Sequence, residues 1–423
     1  MLSLIGNLRR SRVFRGVSAN LYVQGVQIAS QIALVPVMAT HWGLETYGVW
    51  LLLFSIPGYL ALTDLGISRA ATAEMISYVA RNQRSEAIAT LKAARFVTLL
   101  VNAIAVALVV LLSFTVFHGD LNENVATVGA DVALVLSILA IYGAVTMQNG
   151  VTAAVYTSCG AYALSGYAVG TMFACETLAA TVIVVSGGSI AMVAVSYLLI
   201  RLIGTLLLGL GARRVAPWLY VEQKAVWRGH IRPLLRPAIA LVFGSAAQAL
   251  SIQGTVAVIG LTSGAAMVPV FTTVRTMSRI AVQAIMIVNH AIKPSFNAAM
   301  ATEDRLKVRE LMTTSIVVTL ICSAVILVPS VLLGHWFIDF WTNGTVQAGF
   351  AILAIMGLSS FVHTLWTPIS NLIVAINLQE KFAYVYFAVS LVGILLCIPL
   401  SDALGATGAV LSLLVVDLFM LLW

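Results

Sequence analysis

Apolar residues run along this chain in blocks of roughly 20 or more, each long enough to cross a hydrocarbon layer as a helix, separated by short polar connections. The blocks fall at about 17–39, 47–77, 93–116, 129–155, 163–185, 190–212, 237–260, 267–299, 311–333, 347–376, 382–400 and 405–423, which predicts an all-α integral membrane protein of about twelve transmembrane helices. Several exceed what a bilayer needs, so tilt, kinks or extension beyond it are expected. No long stretch alternates apolar and polar residues with period two, which argues against a membrane barrel. The block after Arg9, Arg10, Arg12 and Arg15 is longer than a signal-peptide core and lacks a small-x-small cleavage site, so it reads as the first span.

Composition sharpens the picture. At 61% hydrophobic and 9% charged residues, with a mean hydropathy of +1.01, 423 residues have too little polar surface to clothe a soluble globule. Basic residues cluster at Arg9–Arg15, at Arg81, Arg84, Lys92 and Arg95, at Arg213, Arg214, Lys224, Arg228, Arg232 and Arg236, and at Lys293, Arg305, Lys307 and Arg309, with Lys381 alone. All lie on one side of the predicted spans. Connections on the other side carry Glu45, Asp120, Glu123, Asp131, Asp339 and Asp402 but no basic residue. Retention of positive charge in the cytoplasm then puts the N-terminus inside a bacterial inner membrane. The sequence pI near 9.4 reports that topology and contact with anionic membrane lipids, not nucleic-acid binding.

Cys159, Cys175, Cys322 and Cys397 are scattered singly through apolar segments without ligand spacing, so neither a metal site nor a disulfide is expected. There is no phosphate-binding loop, zinc-protease motif or nucleophile elbow, and the six histidines, His41, His118, His230, His290, His335 and His363, are dispersed. The chain is expected to be no enzyme, with no catalytic residue and no cofactor.

The longest cytoplasmic connection, 213–236, is basic, contains Pro217 and Pro233, and divides a six-span lobe, 1–212, from a second, 237–423. An offset of 221 residues aligns the halves over about three spans each, pairing Arg15 with Arg236, Gln27 with Gln248, Gly43 with Gly264, Ala80 with Ala301 and Arg84 with Arg305. Coincident loop positions carry more weight than matches between apolar blocks. Six spans per half is an even number, so the repeats are parallel, an arrangement that places a substrate site between lobes.

Ionisable side chains inside spans are costly, on the order of 2.5–3.5 kcal/mol each at the centre, so each requires a partner, water or a purpose. They are Asp64, Arg69, Glu74, Glu176, Arg201, Arg275 and Arg279, with Asp417 near the inner end of the last span. Arg275 and Arg279, four apart, share one helical face with no acid on their helix. Either they line a hydrated cavity and receive an anion such as a phosphate or an acidic sugar, or they pair with Asp64 or Glu176 on neighbouring helices. Glu176 and Arg201 flank the turn Ser186-Gly187-Gly188-Ser189 at similar distances, which favours a mutual ion pair. Arg69 and Glu74 are five apart, a poor pairing interval, and lie within a snorkel of the headgroups. Gln24, Gln27 and Gln31 form a polar stripe on the first span, and Gln248 takes the corresponding place in the second half. Such amides pack helices together or offer partners to sugar hydroxyls. Pro36, Pro57, Pro269, Pro294, Pro329, Pro368 and Pro399 mark possible kinks.

The stretch His41-Trp42-Gly43-Leu44-Glu45-Thr46-Tyr47-Gly48-Val49-Trp50, followed by Leu62-Thr63-Asp64-Leu65-Gly66-Ile67, resembles the opening of the polysaccharide-exporting flippases. That family, whose O-antigen branch is the closest likeness, has a Gly-x-x-x-Tyr-Gly turn and a downstream Asp-x-Gly around its second span. It belongs to the multidrug/oligosaccharidyl-lipid/polysaccharide (MOP) superfamily. The resemblance implies a MATE-like, V-shaped pair of helical lobes that moves undecaprenyl-pyrophosphate-linked oligosaccharide between leaflets for surface polysaccharide biosynthesis. A cationic cavity takes the headgroup while the tail stays in lipid. Asp64 carries over from the motif; Arg275, Arg279, Arg69, Gln24, Gln31 and Gln248 are assigned to the cavity by position and charge.

Alternating access follows from that resemblance, driven either by an ion gradient, with Asp64 or Glu176 as the proton or cation site, or by the substrate gradient alone. Expected partners are the lipid-linked oligosaccharide, membrane lipids and other polysaccharide-assembly proteins, around a monomer. The chain ends at Trp423 without the basic tail that often follows, which points to an incomplete C-terminus. The main rival is a drug or metabolite antiporter of the same superfamily, which would favour a carboxylate in the first span of either half, where this chain has only amides. A major-facilitator transporter would show a Gly-x-x-x-Asp-Arg turn, unlike Arg81-Asn82-Gln83-Arg84. A membrane glycosyltransferase would need a large periplasmic loop.

Overall fold

The computed structural model describes residues 12–64, 66–117, 132–221, 227–231, 243–279, 282–283, 305–375 and 379–423. Among them there is no strand, as a chain that must satisfy its own backbone in lipid requires. The helices are α1 (Arg12–Asp64), α2 (Ile67–Ala80), α3 (Arg84–Phe117), α4 (Val132–Ser158), α5 (Tyr162–Val185) and α6 (Ile190–Val215). After two single 3-10 turns, Pro217–Tyr220 and Trp227–His230, come α7 (Phe243–Thr262), α8 (267–279), α9 (Arg305–Leu332), α10 (Gly334–Trp341), α11 (Phe350–Ala375), α12 (Gln379–Leu404) and α13 (Ala406–Leu422). Eight of these helices are long and apolar enough to cross a membrane, and each of the twelve predicted blocks carries helix over at least part of its length.

Two local departures from the sequence reading have physical causes. The first two blocks form one continuous element broken only at Gly43, whose φ of 74° is open to a residue without a Cβ. In the second block α1 ends at Asp64 and α2 begins at Ile67, with Gly66 in helical backbone conformation (φ −82°, ψ −45°) and Leu65 outside the described residues. Between blocks nine and ten stands α10, an eight-residue helix that leaves Trp336 and Phe340 about four-fifths exposed. It is too short to span and suits a position at the membrane interface.

The surface is inverted relative to a soluble protein. Leu206, Val182 and Val325 are each about two-thirds exposed, whereas Glu176 and Arg201 are 2% and 1% exposed. Such an exterior is stable only in lipid, and the chain is a multi-pass membrane protein.

The chain forms two compact units, Met1–Val37 with Ile56–Val242, and Met38–Ser55 with Phe243–Trp423. In the first, α1 lies against α5: Ser18 Oγ meets Tyr167 Oη at 2.8 Å, Thr177 donates to Ser30 Oγ at 2.6 Å, and Gly170 leaves room for the Tyr22 ring. Its core joins Met75, Leu91, Val155, Tyr156 and Leu208. The connection after α6 is tied back to this unit. Arg95 donates to Tyr220 at 3.1 Å, Arg84 lies 5.4 Å from the Trp218 ring, and His230 meets Glu86 at 2.7 Å. In the second unit α13 packs on both α11 and α12, around Trp366, Tyr386, Val416 and Met420.

The internal repeat is visible in the backbone. Gly43 and Gly264, paired by the 221-residue offset, both adopt positive φ, 74° and 87°. Within the second unit Gly48 lies directly against the Ala265 carbonyl, and its missing Cβ would stand 3.2 Å from Pro269 Cδ. Gly48 and Pro269 are themselves one such offset pair, so repeat-equivalent positions touch here. Gly48→Ala should therefore cost about 1–3 kcal/mol through overpacking and lower the Tm by several degrees. Gly25→Ala, where a Cβ meets nothing within 4 Å, should leave the Tm unchanged. Fluorescence-monitored thermal unfolding of the purified protein compares the two.

Candidate functional site

Arg275 and Arg279 sit on α8, shortly after the Gly264 turn that sends the chain back into the membrane. Arg275 is half-buried and Arg279 exposed. Arg275 Nη1 donates to the Ile252 carbonyl at 3.2 Å, and its guanidinium lies 5.8 Å from the Phe271 ring. Ile252 belongs to a π-helical turn, Leu250–Gly254, within α7. Such turns break the regular i to i−4 ladder and leave carbonyls free for other donors. A carbonyl orients a guanidinium without neutralising it. Among the described residues no carboxylate comes within 4 Å of either arginine. With five N–H donors and this one backbone acceptor, Arg275 keeps a net positive charge and directional hydrogen-bonding capacity, the combination that binds phosphate or carboxylate. Gln248, exposed, stands about one turn before Ile252 on α7.

Arg201 is handled in the opposite way. Arg201, on α6, donates from Nε to Glu176 Oε1 at 2.8 Å and from Nη2 to Oε2 at 2.6 Å. Tyr142 of α4 accepts from the same Nη2 at 2.9 Å and donates to Glu176 Oε2 at 3.2 Å, while Phe173 covers the guanidinium at 4.9 Å. The turn between α5 and α6 makes the pairing possible: Gly187 has φ 80°, and Ser189 Oγ caps α6 by accepting from Met192 N at 3.4 Å. The result is a closed clasp across three helices. Both oxygens of Glu176 are engaged, and the pair is buried, at 2% and 1% exposure.

The remaining sequence-derived residues divide between the units. Gln24 and Gln31 lie on α1 in the first unit, both half-buried, with Gln31 Oε1 buried and unpartnered. At about 100° per residue they fall roughly half a turn around from Ser18 and Tyr22, which face α5. Arg69 is exposed on α2, and the Asp64 side chain lies outside the described residues. Arg275, Arg279 and Gln248 belong to the second unit.

One cluster escaped the sequence reading. Asp417, expected near the inner end of the last span, is 8% exposed and accepts from Ser359 Oγ at 2.7 Å and from Trp366 Nε1 at 3.3 Å, with His363 Nδ1 at 2.9 Å. Ser359, His363 and Trp366 are four and three residues apart on α11, a one-face spacing that was available in the sequence.

No protein-family model matches the chain, and no curated protein is similar in sequence. Solved structures are similar in fold. One is an inward-facing multidrug resistance MATE family transporter of the MOP superfamily, at 14% identity and TM-score 0.71, covering 94% of this chain and 91% of that one. Another is the lipid II flippase MurJ in an inward closed conformation, at 13% identity and TM-score 0.69, covering 96% and 86%. A MOP superfamily transporter from Pyrococcus furiosus aligns at 13% identity and TM-score 0.57, covering 98% and 96%. The fold of this chain is that of MATE and MurJ transporters.

Arg201→Met should strand the Glu176 carboxylate in a dry interior and destabilise the protein by about 3–5 kcal/mol. Adding Glu176→Gln should recover most of that loss, because no bare charge is then left. A double-mutant cycle on thermal unfolding gives the coupling, and additive losses would contradict the clasp.

Proposed function

We propose that this protein, built on a fold used by both drug transporters and a lipid flippase, is a flippase for lipid-linked oligosaccharide in the bacterial inner membrane. Its cargo on this reading is an undecaprenyl-pyrophosphate-linked oligosaccharide destined for surface polysaccharide. The observation that carries the reading is the pair Arg275 and Arg279, without a carboxylate in ion-pair reach among the described residues, one of them held in place by a carbonyl that leaves its charge intact. A pyrophosphate leaving water must replace its hydration with fixed donors. Two guanidiniums one turn apart supply such donors and the counter-charge together.

The amides Gln24, Gln31 and Gln248 would serve the sugar hydroxyls, and the polyprenyl tail would remain among the exposed leucines and valines. Arg69 and Asp64 complete the assignment on charge and motif. Alternating exposure to the two leaflets would move the headgroup across. The N-terminus is cytoplasmic on this reading, as the basic clusters require, and other polysaccharide-assembly proteins are its partners. The rival reading, a drug or metabolite antiporter, draws on the MATE likeness.

Replacing both residues, Arg275→Gln with Arg279→Gln, should reduce surface-glycan export at least tenfold while protein level and Tm stay near wild type. Export at the wild-type rate would reject their role. Deleting the gene should remove one surface polysaccharide and leave drug resistance unchanged, and the reverse phenotype would establish the antiporter.

A further inference from the structure

The second unit holds a titratable cluster that the anion-binding pair does not use. Asp417 lies 11 residues into α13, so roughly 17 Å from its start, and His363 lies 13 residues into α11, roughly 20 Å from its start. Both lie well inside apolar helices of the kind that cross a hydrocarbon layer about 30 Å thick. An indole N–H can only donate, so the Trp366 contact makes Asp417 Oδ1 an acceptor. Ser359 Oγ donates to the other oxygen at 2.7 Å. With these two donors fixed on the carboxylate, the Nδ1 of His363, 2.9 Å from Oδ1, is set up as its third donor.

The groups around this carboxylate are few. Among the described residues, on α13 it is Asp417 alone, α11 contributes His363, α12 contributes the Tyr386 phenol packed against Trp366, and α7 contributes the uncharged Ser251, which donates to Ser390 Oγ at 3.3 Å. Among the described residues no lysine or arginine comes within ion-pair distance of Asp417. With a neutral imidazole the cluster therefore carries one negative charge inside these apolar helices, a state that costs several kcal/mol unless it is discharged or used. Exposure differs between the partners: the His363 side chain is 36% exposed and that of Asp417 12%. Histidine is also the side chain whose charge changes between about pH 5 and 8.

We propose that Asp417 and His363 form a proton-binding site that loads and unloads one proton as the protein works. A proton from water joins the pair, the imidazole becoming imidazolium beside the carboxylate, and the cluster passes from one negative charge to none. Release returns that proton to water. Ser359 and Trp366 are positioning residues that keep the carboxylate aimed. Glu176, locked to Arg201, cannot play this part. Use of the site to drive transport rests on the flippase reading; proton binding itself does not.

Trp366 reports on the site, because its ring stands 4.7 Å from that of His363, close enough for imidazolium to quench it. Intrinsic fluorescence of the purified full-length protein in lipid nanodiscs, titrated from pH 4.5 to 8.5, should show one sigmoidal quench. His363→Gln and Trp366→Phe should each abolish that component, the latter separating it from the seven other tryptophans. Asp417→Asn should move its midpoint toward acid by about one pH unit or more, since loss of the anion disfavours imidazolium. A flat wild-type curve, a His363→Gln curve superimposable on wild type, or an unshifted Asp417→Asn midpoint would each overturn the proposal. A protein that titrates as stated yet exports no glycan would overturn the flippase reading and leave the proton site standing.

Discussion

A charge surrounded by hydrocarbon must be paired, solvated or put to use, and the chain meets that constraint in three different ways. Arg201 and Glu176 cancel one another inside a sealed clasp with Tyr142. Asp417 is held by hydroxyl, indole and imidazole. Arg275 is steadied by a backbone carbonyl that cannot neutralise it. The first arrangement discharges the cost internally; the other two leave charge on the protein, which we propose is met by an anion in one case and a proton in the other. Low dielectric makes the difference consequential, because an interaction screened almost to nothing in water is strong here.

The backbone devices serve the same ends. Gly43 and Gly264 turn the chain at equivalent points of the repeat, and the second of these turns starts the helix that carries Arg275 and Arg279. The π-turn at Leu250–Gly254 provides the carbonyl that orients Arg275.

How much was legible in the sequence follows from which forces act locally. Block length and hydropathy located the spans, because lipid imposes a fixed thickness and forbids unpaired backbone. The Glu176 and Arg201 pair was legible from equal distances to a tight turn, a purely helical calculation. The π-turn was not, since a one-residue change in hydrogen-bond register leaves no mark on hydropathy. The cluster around Asp417 was half legible. Ser359, His363 and Trp366 share a helical face, but only packing between α11 and α13 reveals that they converge on one carboxylate. Gln24 and Gln31 remain assigned by stripe alone.

The central claim is that the arginines of α8 stand in water and meet an anion. With Cys159, Cys175, Cys322 and Cys397 replaced by serine, Arg279→Cys can be probed with a charged, membrane-impermeant thiol reagent. The account predicts rapid labelling from the aqueous phase, slowed at least tenfold by a pyrophosphate-bearing polyprenyl lipid. Labelling only by a membrane-permeant reagent, indifferent to that lipid, would contradict it.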